Sequence, residues 1–175
     1  MTREEIDAND LRVNSTTLWK EQWLLLTSGD YEQGHYNSMT VAWGSMGVMW
    51  KKPFVQVVVR PGRYTYEFIE KYPDFTLSVL PEGFRNTMSL MGSESGRFKD
   101  KIAESGLTPL ASLSVKAPAF SEAELILECR TMYRDTIKPE CFKDESLEIN
   151  YPLKDYHTLY FAEILRACGT SDYWK

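Results

Sequence analysis

Two arginines flank a turn in the stretch Arg60-Pro61-Gly62-Arg63-Tyr64-Thr65. Pro61 and Gly62 favour a tight turn. Thr65 falls in the first turn of the helix that should follow. The first N–H groups of a helix lack internal partners, and the positive end of its dipole lies there. Guanidinium groups, a hydroxyl and free N–H groups converging on one point are the chemistry of a phosphate site. A plain helix start with solvated arginines has the same spacing, so the stretch alone leaves both readings open.

Three further stretches carry chemistry. Tyr36 to Gly47 reads YNSMTVAWGSMG. It starts as a strand and is expected to end as a Gly-rich loop. Small polar residues sit where a core strand would carry Val or Ile. A strand edge with small side chains exposes backbone donors and acceptors to a flat heterocycle, and Gly44 and Gly47 allow close approach. A strand entering a turn would look the same. Ser93 to Lys101 (SESGRFKDK) is polar, with Arg97 and Lys101 available to a second anion or, equally, to solvent. His157 opens the last expected strand, with Glu163 six residues on; a lone strand histidine suits either a structural or a catalytic role. The chain's two histidines are far apart and make no metal site. Gly-x-Ser-x-Gly, His-Glu-x-x-His and Walker patterns are absent, which excludes the common local signatures of hydrolases and P-loop proteins.

The elements that must position these residues are mostly strands. Apolar runs predict strands over 19–27, 36–43, 53–60, 75–80, 122–132 and 157–165. The run PFVQVVVR is nearly all apolar and is expected to be buried on both faces. In EAELILECRTM, Glu124 and Glu128 alternate with Leu125, Leu127 and Cys129, which predicts one wet face. Helices are expected over 63–72, stopped by Pro73, over 84–91, and over 98–105, ended by Gly106. Six strands with short helices and no regular βαβ alternation point to a β-barrel with peripheral helices.

Composition sets the frame. The 175 residues fit one domain, taken as 1–175, with 43% hydrophobic and 26% charged residues. The net charge of −5 argues against a nucleic-acid partner. No apolar run is long enough for a membrane span, and no signal peptide is visible. Cys129, Cys141 and Cys168 match no metal or disulfide spacing and read as reduced thiols of a cytoplasmic protein.

Taken in order, NSMTVAW, PFVQVVVRPGRYTYEFI, FTLSVL, SGRFKDKI with ESGLTPL, AELILEC and HTLYFAEI resemble the flavin reductase-like, FMN-binding split-barrel family, in its flavoredoxin-like branch. The resemblance runs from Asn37 to Ile164. Arg63 stands where many reductases have a small hydroxyl residue, Ser78 where Asn is usual and Ala162 where Gly is usual. His157 follows Asp155-Tyr156 rather than Gly-Asp.

The resemblance implies a mainly β, Greek-key split barrel with short helices that forms a homodimer and binds FMN. Asn37, Ser38, Met39 and Thr40 would line the flavin ring, with Val41, Ala42 and Trp43 continuing the wall. Arg60, Arg63, Tyr64 and Thr65 would hold the phosphate. Ser95, Gly96 and Lys101 would sit near the flavin or an incoming nucleotide, and His157 matches the family histidine. The implied activity is that of an NAD(P)H:flavin oxidoreductase using NADH or NADPH. The alternatives are a flavoredoxin-type electron carrier without nicotinamide activity and a non-catalytic flavin-binding barrel.

Overall fold

The computed structural model describes residues 2–174. Among the described residues there are ten strands: β1 (Glu4–Ile6), β2 (Leu24–Asp30), β3 (His35–Val41), β4 (Gly44–Met49), β5 (Lys52–Val59), β6 (Asp74–Val79), the two-residue β7 (Pro109–Leu110) and β8 (Ala119–Phe120), β9 (Leu125–Thr136) and β10 (Thr158–Gly169). Four α-helices accompany them: α1 (Ser15–Thr17), α2 (Tyr64–Lys71), α3 (Arg85–Ser93) and α4 (Lys101–Ser105). The main sheet runs β3-β2-β6-β9-β10-β5-β4, and β1 adds to β10. Every neighbouring pair is antiparallel. No helix of the described residues is long and apolar enough to cross a membrane.

Alternation along the strands builds two apolar layers. Leu24, Leu26, Val55, Val57, Leu77 and Leu127 belong to the principal core. Leu25 and Ile126 point the other way, into a second cluster with Met88 and Met91 of α3 and with Leu107 and Phe120. The strands buried on both faces are therefore β2 and β6, every residue of which is buried. On β5 the expectation of two buried faces is corrected: Gln56 and Val58 are only half-buried.

Four further expectations change. Residues 19–22 form a π-helical turn (Leu18–Gln22), not the start of a strand. Trp23 breaks it with φ of 63°, and β2 starts one residue later. Residues 44–49 form β4 rather than a loop, paired along β5 from Gly44↔Val57 to Met49↔Lys52. Gly44 is required there, because a Cβ would lie 2.5 Å from both the Trp19 ring and the Gln56 carbonyl oxygen. The expected wet face of β9 is dry at Glu128, which is 2% exposed. Its carboxylate accepts from the Leu113 and Ser114 N–H groups and pairs with Arg166 at 3.1 Å. The segment carrying Leu113 and Ser114 covers it, a long-range contact that alternation cannot reveal. The third helix is shorter than expected: it starts at Lys101, capped by the Asp100 side chain, and ends at Gly106 in the left-handed region.

Candidate functional site

The turn after β5 closes through Arg63 N–H donating to the Arg60 carbonyl at 3.0 Å. Arg63 is then the N-cap of α2 in extended backbone and offers no side-chain cap. Its guanidinium is free to turn outward, and it donates to the Gly92 carbonyl at the end of α3. Lys101, at the start of α4, reaches the same place. It is 3% exposed, and its ammonium donates to the carbonyls of Met91 (2.7 Å) and Glu94 (3.0 Å). An ammonium has three donors, so one remains.

These two cations border a cavity of about 60 Å³ lined also by Asn37, Met39, Thr65 and Ser95. Neither forms an ion pair with a carboxylate among the described residues. Burial, then the neighbouring Arg63 charge, pushes the Lys101 ammonium down to about 8. Burial, then Arg60, also lowers the Arg63 guanidinium. A buried ammonium and a half-buried guanidinium, both held by carbonyl oxygens beside a small cavity, fit an anion with several acceptor oxygens.

The wall of this cavity is β3. It ends the sheet order, so among the described residues one of its edges carries no strand partner. Asn37 is fixed by its amide donating to Thr65 Oγ1 at 2.7 Å. Gly96 packs on it so closely that a Cβ would fall 2.3 Å from Asn37 Oδ1. Thr40 donates to the Met88 carbonyl at 2.5 Å and ties β3 to α3. Ser38 points away: its hydroxyl accepts from Thr27 at 2.9 Å inside the barrel. Val41 joins the core, while Ala42 is half-buried and Trp43 exposed.

Arg60 does not join Arg63. Its guanidinium pairs with Asp155 at 2.7 Å, donates to the Asn150 carbonyl at 2.8 Å, and lies 5.1 Å from the Tyr151 ring centre. Tyr151 in turn is hydrogen-bonded through its hydroxyl to His157 Nδ1 at 2.9 Å, and the Trp43 ring lies 5.2 Å from the imidazole. Burial, then the Arg60 charge, lowers His157 to about 4, so it is neutral at ordinary pH. The structure thus splits the sequence-derived set. Asn37, Met39, Arg63, Tyr64, Thr65, Ser95, Gly96 and Lys101 line the cavity. Trp43, Arg60 and His157 form a second cluster with Tyr151 and Asp155. Tyr151 did not stand out in the sequence, and Asp155 did so only as a departure before His157; its pairing with Arg60, 95 residues away, was not legible.

A family model for the flavin reductase like domain matches residues 20–172. The chain belongs to that family. The matched residues take in both clusters, from the β3 wall to β10. A relative of the chain, 28% identical over 151 residues, is an uncharacterized protein of Pyrococcus abyssi; the match covers 85% of this chain and 73% of that one. The fold is also that of an FMN-binding domain of a flavin reductases-like enzyme from Shewanella baltica, with a TM-score of 0.68, 19% identity and coverage of 96% and 77% of the two chains. The flavoredoxin of Desulfovibrio vulgaris gives a TM-score of 0.68 at 21% identity, over 92% and 75%. The flavin reductase-like fold here is accordingly a mainly β split barrel.

Proposed function

We propose that the protein is an FMN-binding redox flavoprotein acting as an NAD(P)H:flavin oxidoreductase. The observation that carries the reading is the pair of half-buried Arg63 and buried Lys101 beside one cavity, neither ion-paired with a carboxylate among the described residues. The family membership of the chain supports the same cofactor. Arg63, Lys101, Thr65 and the first N–H groups of α2 would hold the phosphate. The free edge of β3 from Asn37 to Val41, continued by Ala42 and Trp43, would offer backbone donors and acceptors to the ring. Bound FMN supplies a hydride acceptor for NADH or NADPH and a donor of electrons to a second substrate. The protein contributes binding, orientation and a fixed polar surround; neutral His157, held by Tyr151, contributes a hydrogen-bonding group rather than a charge.

A homodimer belongs to this reading. Val48 is 71% and Trp50 58% exposed, and Trp50 lies 6.2 Å from the Tyr133 ring, so an apolar surface is available for a second copy. The absorption spectrum of freshly purified protein, before and after NADH or NADPH, tests the activity. A flavin band that bleaches with either nucleotide supports it. A band that neither nucleotide bleaches leaves an electron carrier, and a colourless protein that does not bind added FMN refutes the cofactor.

A further inference from the structure

An open pocket of about 600 Å³ lies between the π-helical turn and the residues that follow β3. None of its lining residues lines the small cavity. Its volume is in the range of sites for small organic ligands. Three indoles line it, those of Trp19, Trp23 and Trp43. Trp43 is 48% exposed, and its ring lies 5.2 Å from the His157 imidazole. Trp19 is buried with its ring edge against Gly44, and its Nε1–H has no hydrogen-bond partner among the described residues.

Trp23 is held at this pocket against the preference of its backbone. Its φ of 63° and ψ of 163° lie in a region that is nearly reserved for glycine. Three contacts fix it. Its N–H donates to the Leu18 carbonyl at 2.9 Å, its indole N–H donates to the Lys20 carbonyl at 3.2 Å, and the Arg85 guanidinium lies 3.4 Å from its ring centre. Packing on the second apolar cluster offsets part of the strain. Arg85 does not line the pocket, so the Trp23 surface facing the pocket is a different one. Strained backbone and π-helical turns recur at ligand sites, and here they occur together. Lys20 supplies the charge. It is the one charged residue of the lining, it is exposed, and it makes no ion pair among the described residues.

We infer that this pocket binds a small planar aromatic carboxylate, with its rings against Trp43 and Trp23 and its carboxylate on Lys20. Indoles offer wide, rigid apolar faces to a flat ring. Indole faces alone would also suit an organic cation, and Lys20 turns the preference to an anion. An exposed lysine contributes little to affinity, so the indoles carry most of the binding and Lys20 sets its sign. The inference goes beyond the flavin reading and does not rest on it, because Lys20, Trp19 and Trp23 have no part in the proposed cofactor site.

The probe is 2-naphthoate, titrated into the full chain by calorimetry at low salt, with 2-naphthamide as its uncharged counterpart. Saturable binding of the carboxylate is expected, roughly threefold tighter than the amide, with the difference shrinking as salt rises. Lys20→Met should remove that difference and leave FMN affinity unchanged. Trp43→Ala should weaken both ligands about tenfold. Trp23→Gly, a change that the backbone at this position accommodates, should weaken both as well. Lys20 and Trp43 are exposed, so their variants test the site even where Trp23→Gly fails to fold. This pattern supports the inference whether or not the chain binds FMN. No saturable binding of 2-naphthoate overturns it, as does equal affinity for the two ligands in the wild-type chain. Binding that ignores Lys20→Met but is weakened by Arg63→Ala places the probe in the small cavity and overturns it too.

Discussion

Lys101 is the residue on which the proposed cofactor site turns. Its carbonyl partners hold the ammonium in place without neutralising it. Removing its charge in Lys101→Met, or the guanidinium in Arg63→Ala, is expected to weaken FMN binding about tenfold or more, because a charge-assisted hydrogen bond to phosphate is lost. Fluorescence titration of flavin checks this. The pH dependence has a definite sign. The free ammonium is depressed to about 8, and a phosphate favours its charged form. FMN affinity should therefore hold below pH 8 and fall above it in the wild-type chain, but not in Lys101→Met. His157 gives the converse expectation. Held near 4 by burial, it stays neutral from pH 5 to 8, so NADH-dependent bleaching should show no histidine step in that range. A midpoint near 6.5 would contradict the packing of Trp43 and Tyr151 around it. The sequence showed two arginines three residues apart and could not tell them apart. Arg63 is placed by the turn it sits in, while Arg60 is taken by Asp155, 95 residues away.

At the level of elements, runs of β-branched and aliphatic residues located six strands, since a sheet buried on one or both faces needs them. Those signals found β2, β3, β5, β6, β9 and β10. They failed for β4, whose Gly-Ser-Met-Gly sequence reads as a loop. Gly44 is there because Trp19 and the Gln56 carbonyl leave no room for a Cβ, not because the chain turns. They failed again at Glu128, whose cover comes from a segment 14 residues upstream. Two stability measurements follow. Leu77→Ala, at a wholly buried position of β6, should cost about 2–5 kcal/mol in urea unfolding. Glu128→Ala should cost about 3–5 kcal/mol, since it leaves Arg166 and two N–H groups without their buried acceptor. A surface-like change below about 0.5 kcal/mol would mean that Glu128 faces water after all.

Over the whole molecule, the two residue clusters lie along one seam. The small cavity sits where α2, α3 and α4 meet the free edge of β3, and the His157 cluster lies beside Trp43, just past the end of that strand. Six segments in a fixed order made the family legible from sequence, although each was weak alone. The side-chain sorting within them was not legible, because it depends on contacts between segments far apart in the chain. The exposed Val48 and Trp50 surface predicts twice the chain mass of 20.3 kDa by sedimentation, and Trp50→Glu should shift the mass towards the monomer. The central claim is that Arg63 and Lys101 beside β3 recognise the phosphate of a flavin. Its most direct test is the ratio of affinities for FMN and riboflavin, which differ only in that phosphate, measured by fluorescence titration at pH 7. The account predicts that FMN binds at least tenfold more tightly, and that Arg63→Ala with Lys101→Met removes the preference. Equal affinity for the two flavins in the wild-type protein would contradict it.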